Sequence, residues 1–141
     1  MLSVNQELQD GRYRILSHSG QEDAGVSYQA FDNVLQTKVI IKETVFDAKA
    51  NIYKNSMVRQ MDNLTSIKHE SFTQIHGYFS EIDRQYLVTE ATDNETLKDL
   101  LDKHQKPFQL FDILAWTEQS LNALSYLHSK VPPIIHCGIT P

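Results

Sequence analysis

The prevailing hydrophobic period shifts near residue 92 of this 141-residue chain, and that shift constrains the fold more than any other feature. Up to about residue 92 most apolar residues sit in short runs rich in β-branched and aromatic side chains. Beyond it they recur at helical spacing. Residues 13–17 and 26–31 read as strands around a polar, glycine-containing stretch at 19–25, a hairpin signal with a long tip. Residues 37–45 make a third strand, again rich in β-branched side chains. Residues 48–67 lack Gly and Pro and space Tyr53, Met57, Met61 and Leu64 for a helix. Residues 75–79 and 85–89 form a second hairpin across the polar turn at 80–84. The expected order is three strands, one helix and two strands.

The second half predicts helices. A short one starts at 94–97 and fades by Lys106-Pro107, where proline cannot continue it. A longer one spans 110–129. Leu110, Ile113, Leu114, Leu121 and Leu124 share one face, while Trp116, Ala123 and Leu127 lie off that stripe. A helix apolar over most of its circumference expects cover on nearly all sides. The fold class is therefore α+β: a five-stranded antiparallel sheet with one packed helix, then a helical segment.

Composition narrows the function. Hydrophobic residues make up 40% and charged residues 22%, a globular balance. Thirteen basic against eighteen acidic residues give a net charge of −5, which argues against a nucleic-acid partner. A single cysteine excludes an internal disulfide and a cysteine-rich metal site. No apolar run nears the roughly 18 residues of a membrane span. The first residues lack the pattern of a secretory signal. A cytoplasmic protein, outside the membrane, is the expectation.

Six short motifs then fall in a telling order. They are Gly11-Arg12-Tyr13-Arg14-Ile15-Leu16, Ser27-Tyr28-Gln29-Ala30-Phe31-Asp32, Val39-Ile40-Ile41-Lys42, Tyr86-Leu87-Val88-Thr89-Glu90, Leu124-Ser125-Tyr126-Leu127-His128 and His136-Cys137-Gly138-Ile139-Thr140-Pro141. Together they resemble a protein kinase over about residues 11–141, with an opening similar to the bacterial Ser/Thr kinases of eukaryotic-like type. The resemblance implies a small lobe at 1–92 and the beginning of a large lobe at 93–141, which stops after the start of the catalytic loop.

The same resemblance implies a nucleotide site, and its parts can be checked one by one. Gly20 and Gly25 fit the first and third glycines of the phosphate-covering loop, but Glu22 stands at the middle one, with a carboxylate opposed to polyphosphate. A plain flexible hairpin tip accounts for the same residues. Lys42 fits the phosphate-holding strand lysine, the alternative being a solvated one. Ile40 shares its face and replaces a small Ala against adenine. Extra methylenes in a fitted site typically cost ~1–3 kcal/mol. Ser27 replaces a Val on the other side of the base. Gln60 falls where the helix Glu should pair with Lys42; a neutral amide cannot neutralise the ammonium. Residues 90–92, with Glu90 and Thr92 at the ends, offer hinge backbone to adenine, or form a simple strand end, and Thr89 guards the space behind. Gly138 replaces the Asp that accepts the substrate proton, and Thr140 the Lys two residues on.

Catalytic residues and a metal are therefore expected to be absent, with ATP bound weakly at best. His128, His136 and Cys137 do not suffice as a metal site. The expected function is a non-catalytic, kinase-like interaction or regulatory module. The alternatives are an ATP-binding Ser/Thr kinase acting within a longer chain, and a truncated product without activity. A protein partner or self-association through helix 110–129 is expected to cover the apolar helix.

Overall fold

A computed structural model describes residues 1–22, 25–45, 63–81, 84–92 and 95–135. Among the described residues the named elements are, in order, strands β1 Glu7–Leu8, β2 Tyr13–Glu22, β3 Gly25–Asp32, β4 Thr37–Val45, β5 Ile75–Glu81 and β6 Arg84–Glu90, then helices α1 Leu97–His104 and α2 Leu110–His128. The strands form one antiparallel sheet in the order β1-β2-β3-β4-β6-β5. The α+β class holds, with one strand more than the five expected. Strand β1 is two residues long and too short to show a period, so no pattern in the sequence marks it. Of the expected helix at 48–67, residues 63–65 are helical and residues 46–62 lie outside the described residues.

The hairpin tip is shorter than expected. Strand β2 continues through the polar residues to Glu22, and β3 resumes at Gly25. A backbone ladder needs no apolar side chain, so composition alone marked too long a loop. Two register shifts, between Ile15 and Ser17 and between His18 and Gly20, bend β2 on its way to the tip.

The sheet core follows from period-two alternation. Val39 and Ile41 of β4, both 0% exposed, share a face with Tyr28 and Ala30 of β3 and Val88 of β6. Leu8, Tyr13, Ile15 and Tyr86 complete the cluster. The sheet is rolled. Tyr13 of β2 stacks on Phe79 of β5 with ring centroids 5.4 Å apart, and Phe79 stacks on Tyr86 at 4.9 Å. Four strand spacings separate β2 from β5, about 19 Å if the sheet were flat. The curl lets one sheet bury its inner face against itself.

Asp32, fully buried at the end of β3, ties down the turn into β4. Its carboxylate accepts the Val34 N–H at 2.8 Å, the Leu35 N–H at 3.1 Å and the Arg12 guanidinium at 3.2 Å. Burial pushes its carboxyl upward, but these donors outweigh it and hold the group below its ordinary range.

The chain divides into two compact units, Met1–Lys68 with Thr73–Thr92, and His69–Phe72 with Asp93–Pro141. In the second, α1 opens on a reciprocal cap. Thr96 Oγ1 accepts the Asp99 N–H at 3.1 Å, and Asp99 Oδ2 accepts the Thr96 N–H at 3.0 Å. Gln105 closes α1 in the left-handed conformation, at φ 49°. Helix α2 ends as the following turn folds back, the Ile134 N–H donating to the Leu127 carbonyl at 3.1 Å.

Candidate functional site

Two rows of side chains cross the sheet on the face opposite its core. One runs through Gly20, Ser27, Lys42 and Leu87 on β2, β3, β4 and β6. The other runs through Gln29, Ile40 and Thr89 on β3, β4 and β6. Directly opposed residues project to the same side. The pleat therefore gathers Gly20, Ile40 and Lys42 on one face, together with Ser27 and Thr89. Lys42 is exposed, Ile40 half-buried, and Ser27 and Thr89 are buried.

The two glycines differ in what they require. A Cβ built at Gly20 would meet no atom within 4 Å, so packing within the chain does not demand glycine there. The residue follows a bulge and leaves space over the sheet. Gly25 has φ +149°, a backbone open to glycine, where β3 begins opposite Glu22.

Glu90 stands apart from this face. It is paired with Val39 and lies on the core side of the sheet. Its Oε1 accepts the Gln74 N–H at 2.8 Å, and its own N–H donates to the Gln74 carbonyl at 2.9 Å. Those two groups anchor the strand end. Ala91 and Thr92, half-buried and exposed, follow it. The Glu22 side chain, Gln60, Gly138 and Thr140 lie outside the described residues.

Sequence reasoning passed over Glu43. It follows Val39 and Ile41 on the core face and is 2% exposed. Arg84, two residues before Tyr86 on β6, places its guanidinium against Glu43 Oε1 as an ion pair. The contact is one of charge and proximity, because neither carboxylate oxygen has a well-aligned hydrogen bond among the described residues. The signal was available: alternation from Val39 points residue 43 inward.

The helical unit offers a different surface. Leu110, Phe111, Leu114 and Leu121 of α2 are 71%, 80%, 59% and 59% exposed. Its buried residues are Ala123 and Leu127. Trp116, on the same side as these, is half-buried with its ring edge-on to Phe108 at 4.9 Å. The stripe of leucines read from the sequence is thus largely the exposed side, and the residues lying off it are the buried ones. Near the end of α2, Tyr126 meets His69 at 4.9 Å and the Lys130 ammonium at 3.8 Å. Among the described residues no His, Cys, Asp or Glu cluster could hold a metal, and no helix is long and apolar enough to cross a membrane.

Comparison with known proteins gives this arrangement its family. The protein kinase domain matches residues 13–141. Aurora kinase of Saccharomyces cerevisiae is 36% identical over 118 residues, covering 82% of this chain and 30% of that protein. Serine/threonine-protein kinase 33 of Bos taurus is 30% identical over 118 residues, covering 83% and 24%. A nuclear receptor-binding protein homolog of Drosophila pseudoobscura pseudoobscura is 33% identical over 95 residues, covering 62% and 14%. The chain thus spans less than a third of the length of each of these relatives. It belongs to the protein kinase domain family.

Proposed function

We propose that this chain is a non-catalytic, kinase-like module that works by protein contact. One observation carries the reading: Gly138 occupies the place of the proton-accepting Asp in the catalytic-loop motif His136-Cys137-Gly138-Ile139-Thr140-Pro141. Loss of a positioned general base alone costs roughly 10²–10⁴ in rate. Thr140 and Gln60 add two further departures, and each removes a charge that phosphoryl transfer uses. The similarity of the opening motif to bacterial eukaryotic-like kinases, and a cytoplasmic setting, belong to the same reading. The test is phosphoryl transfer from radiolabelled ATP to protein substrates. No transfer above a buffer control is expected. Transfer abolished by Lys42→Ala would overturn the reading.

The contact surface in this reading is α2. Its exposed Leu110, Phe111, Leu114 and Leu121 are the kind of contiguous apolar face that marks an interaction site. A second copy of the chain is the preferred occupant, because a two-fold contact lets one apolar face cover its own equivalent. Light scattering on the purified chain tests it, with a dimer expected.

A second reading, ATP binding by a Ser/Thr kinase within a longer chain, draws on the placement of Lys42, Gly20 and Ile40 on one sheet face. Calorimetry with magnesium-ATP separates the two. Weak or undetectable binding is expected, and a low-micromolar dissociation constant would favour the second. In a vestigial site, Ile40→Ala with Glu22→Gly should strengthen binding.

A further inference from the structure

We infer that residues 1–9 form a detachable strap that bridges the two edges of the rolled sheet. These residues precede the span matched by the kinase domain, which begins at residue 13. On one edge the strap joins β2. Strand β1 pairs Glu7 with Arg14 and Leu8 with Tyr13. The Asn5 N–H donates to the Ile15 carbonyl at 2.8 Å, and the Ile15 N–H donates to the Gln6 carbonyl at 2.9 Å. On the other edge, the Gln9 N–H donates to Glu81 Oε2 of β5 at 2.9 Å, across 72 residues of sequence. Between the edges, Leu8 is buried in the core and Leu2 packs against it, with the Leu2 N–H donating to the Tyr28 hydroxyl at 2.9 Å. The strap thus closes over the seam where Tyr13 stacks on Phe79.

Its backbone makes the strap separable from the sheet. Gln9, Asp10 and Gly11 follow one another in the left-handed region, at φ 50°, 54° and 85°, and Asn5 lies there as well, at 65°. L side chains adopt that region reluctantly. Such angles persist only while surrounding contacts hold them. Once Leu8 leaves the core, Gln9 leaves Glu81 and the ladder to β2 opens, only short-range hydrogen bonds remain to favour the bound shape: the Gln6 N–H to the Ser3 carbonyl, the Ser3 N–H to the Gln6 side chain and the Arg12 N–H to the Gln9 carbonyl. The strap therefore leaves as a unit and returns as a unit, a local opening below the global one. Its release removes the hydrogen bond across the seam and one ladder partner of β2. The bulges after Ile15 and His18 confine the change to the base of β2 and to β5, away from the Gly20–Gly25 tip.

Hydrogen exchange read by mass spectrometry tests this on the full chain, a variant lacking residues 1–9, and Glu81→Ala. In the shortened chain, residues 13–15 and 75–81 should exchange at least tenfold faster, while 28–30 and 39–41 keep their protection. Glu81→Ala should speed the same β5 amides by a smaller factor. If removal of residues 1–9 strips protection from β3 and β4 as well, the segment is an inseparable part of the core and the proposal fails. It fails equally if β5 exchanges at the same rate in all three proteins.

Discussion

The sheet unit and the helical unit treat their apolar side chains in opposite ways. In the sheet, the curl from β2 to β5 brings distant strands together, and Tyr28, Val39, Ile41 and Val88 lose all contact with water. In the helical unit, α1 buries no residue and α2, nineteen residues long, buries two. The cause is geometric. A rolled sheet supplies its own second layer, whereas a helix presents apolar side chains that a neighbouring element has to cover. The proposed function divides along the same line, with the candidate ligand positions on the sheet and the exposed apolar face on the helix.

The largest test of this contrast is Ile41→Ala. Ile41 is fully buried between Tyr28 and Val88 in the sheet ladder. Truncation leaves a cavity in a packed core, and the expected loss is about 2–5 kcal/mol. Urea unfolding followed by far-ultraviolet circular dichroism measures it. A loss below roughly 1 kcal/mol would mean that the sheet core collapses onto the space and is not tightly packed.

Asp32→Ala comes next. It removes the carboxylate that accepts from the Val34 and Leu35 amides and the Arg12 guanidinium, and hydrogen bonds to a charged group contribute roughly 1.5–3 kcal/mol. The sign with pH is fixed. The folded-state pKa of Asp32 lies below its value in the unfolded chain, about 3.9. The carboxylate therefore stabilises the fold fully above that value, and the contribution drains away as pH falls through the folded-state value. The stability gap between the parent and Asp32→Ala should shrink below about pH 4. A gap that stays constant down to pH 2 would remove the charge from the explanation.

Thr96→Ala moves the comparison into the helical unit. It deletes the acceptor for the Asp99 N–H and half of the reciprocal cap. Loss of such a cap costs about 1 kcal/mol. Since α1 buries nothing, that loss should appear as fraying of residues 97–100 by hydrogen exchange, with the main unfolding transition unmoved. A shift of the sheet transition would show that the two units unfold together.

How much of this was legible in the sequence depends on which force sets each feature. The strands β3, β4, β5 and β6 announce themselves because alternation records which face is buried. Lys42 and Ile40 fall on a shared face for the same reason. Strand β1 was invisible, since two residues carry no period and its pairing is made by backbone groups. The polar end of β2 was misread as loop because its hydrogen bonds leave no trace in hydropathy. For α2 the helix was plain and its orientation was not. The leucine stripe is the more apolar side, yet Ala123 and Leu127 are the buried residues. Hydrophobic pattern states what a helix would bury given full cover, and only the packing states which side is covered.

The smallest expected effect on stability is also the sharpest test of the contrast. Leu114→Lys with Leu121→Lys places two charges on the exposed face of α2. Both positions are more than half exposed, so the folded monomer loses little packing. Surface substitutions of this kind usually stay within about 0.5 kcal/mol. Lysine is also a good helix former, so the helix itself should persist. Association is a different matter, because an unpaired charge cannot enter an apolar contact without a large desolvation cost. If α2 meets a second copy, light scattering should show the parent as a dimer and the double variant as a monomer, with the unfolding midpoint at low concentration unchanged. A dimer that survives both lysines would move the contact to the sheet unit. A large drop in monomer stability would instead mean that Leu114 and Leu121 are packed within the chain, and the distinction between a self-covered sheet and an uncovered helix would fall with it.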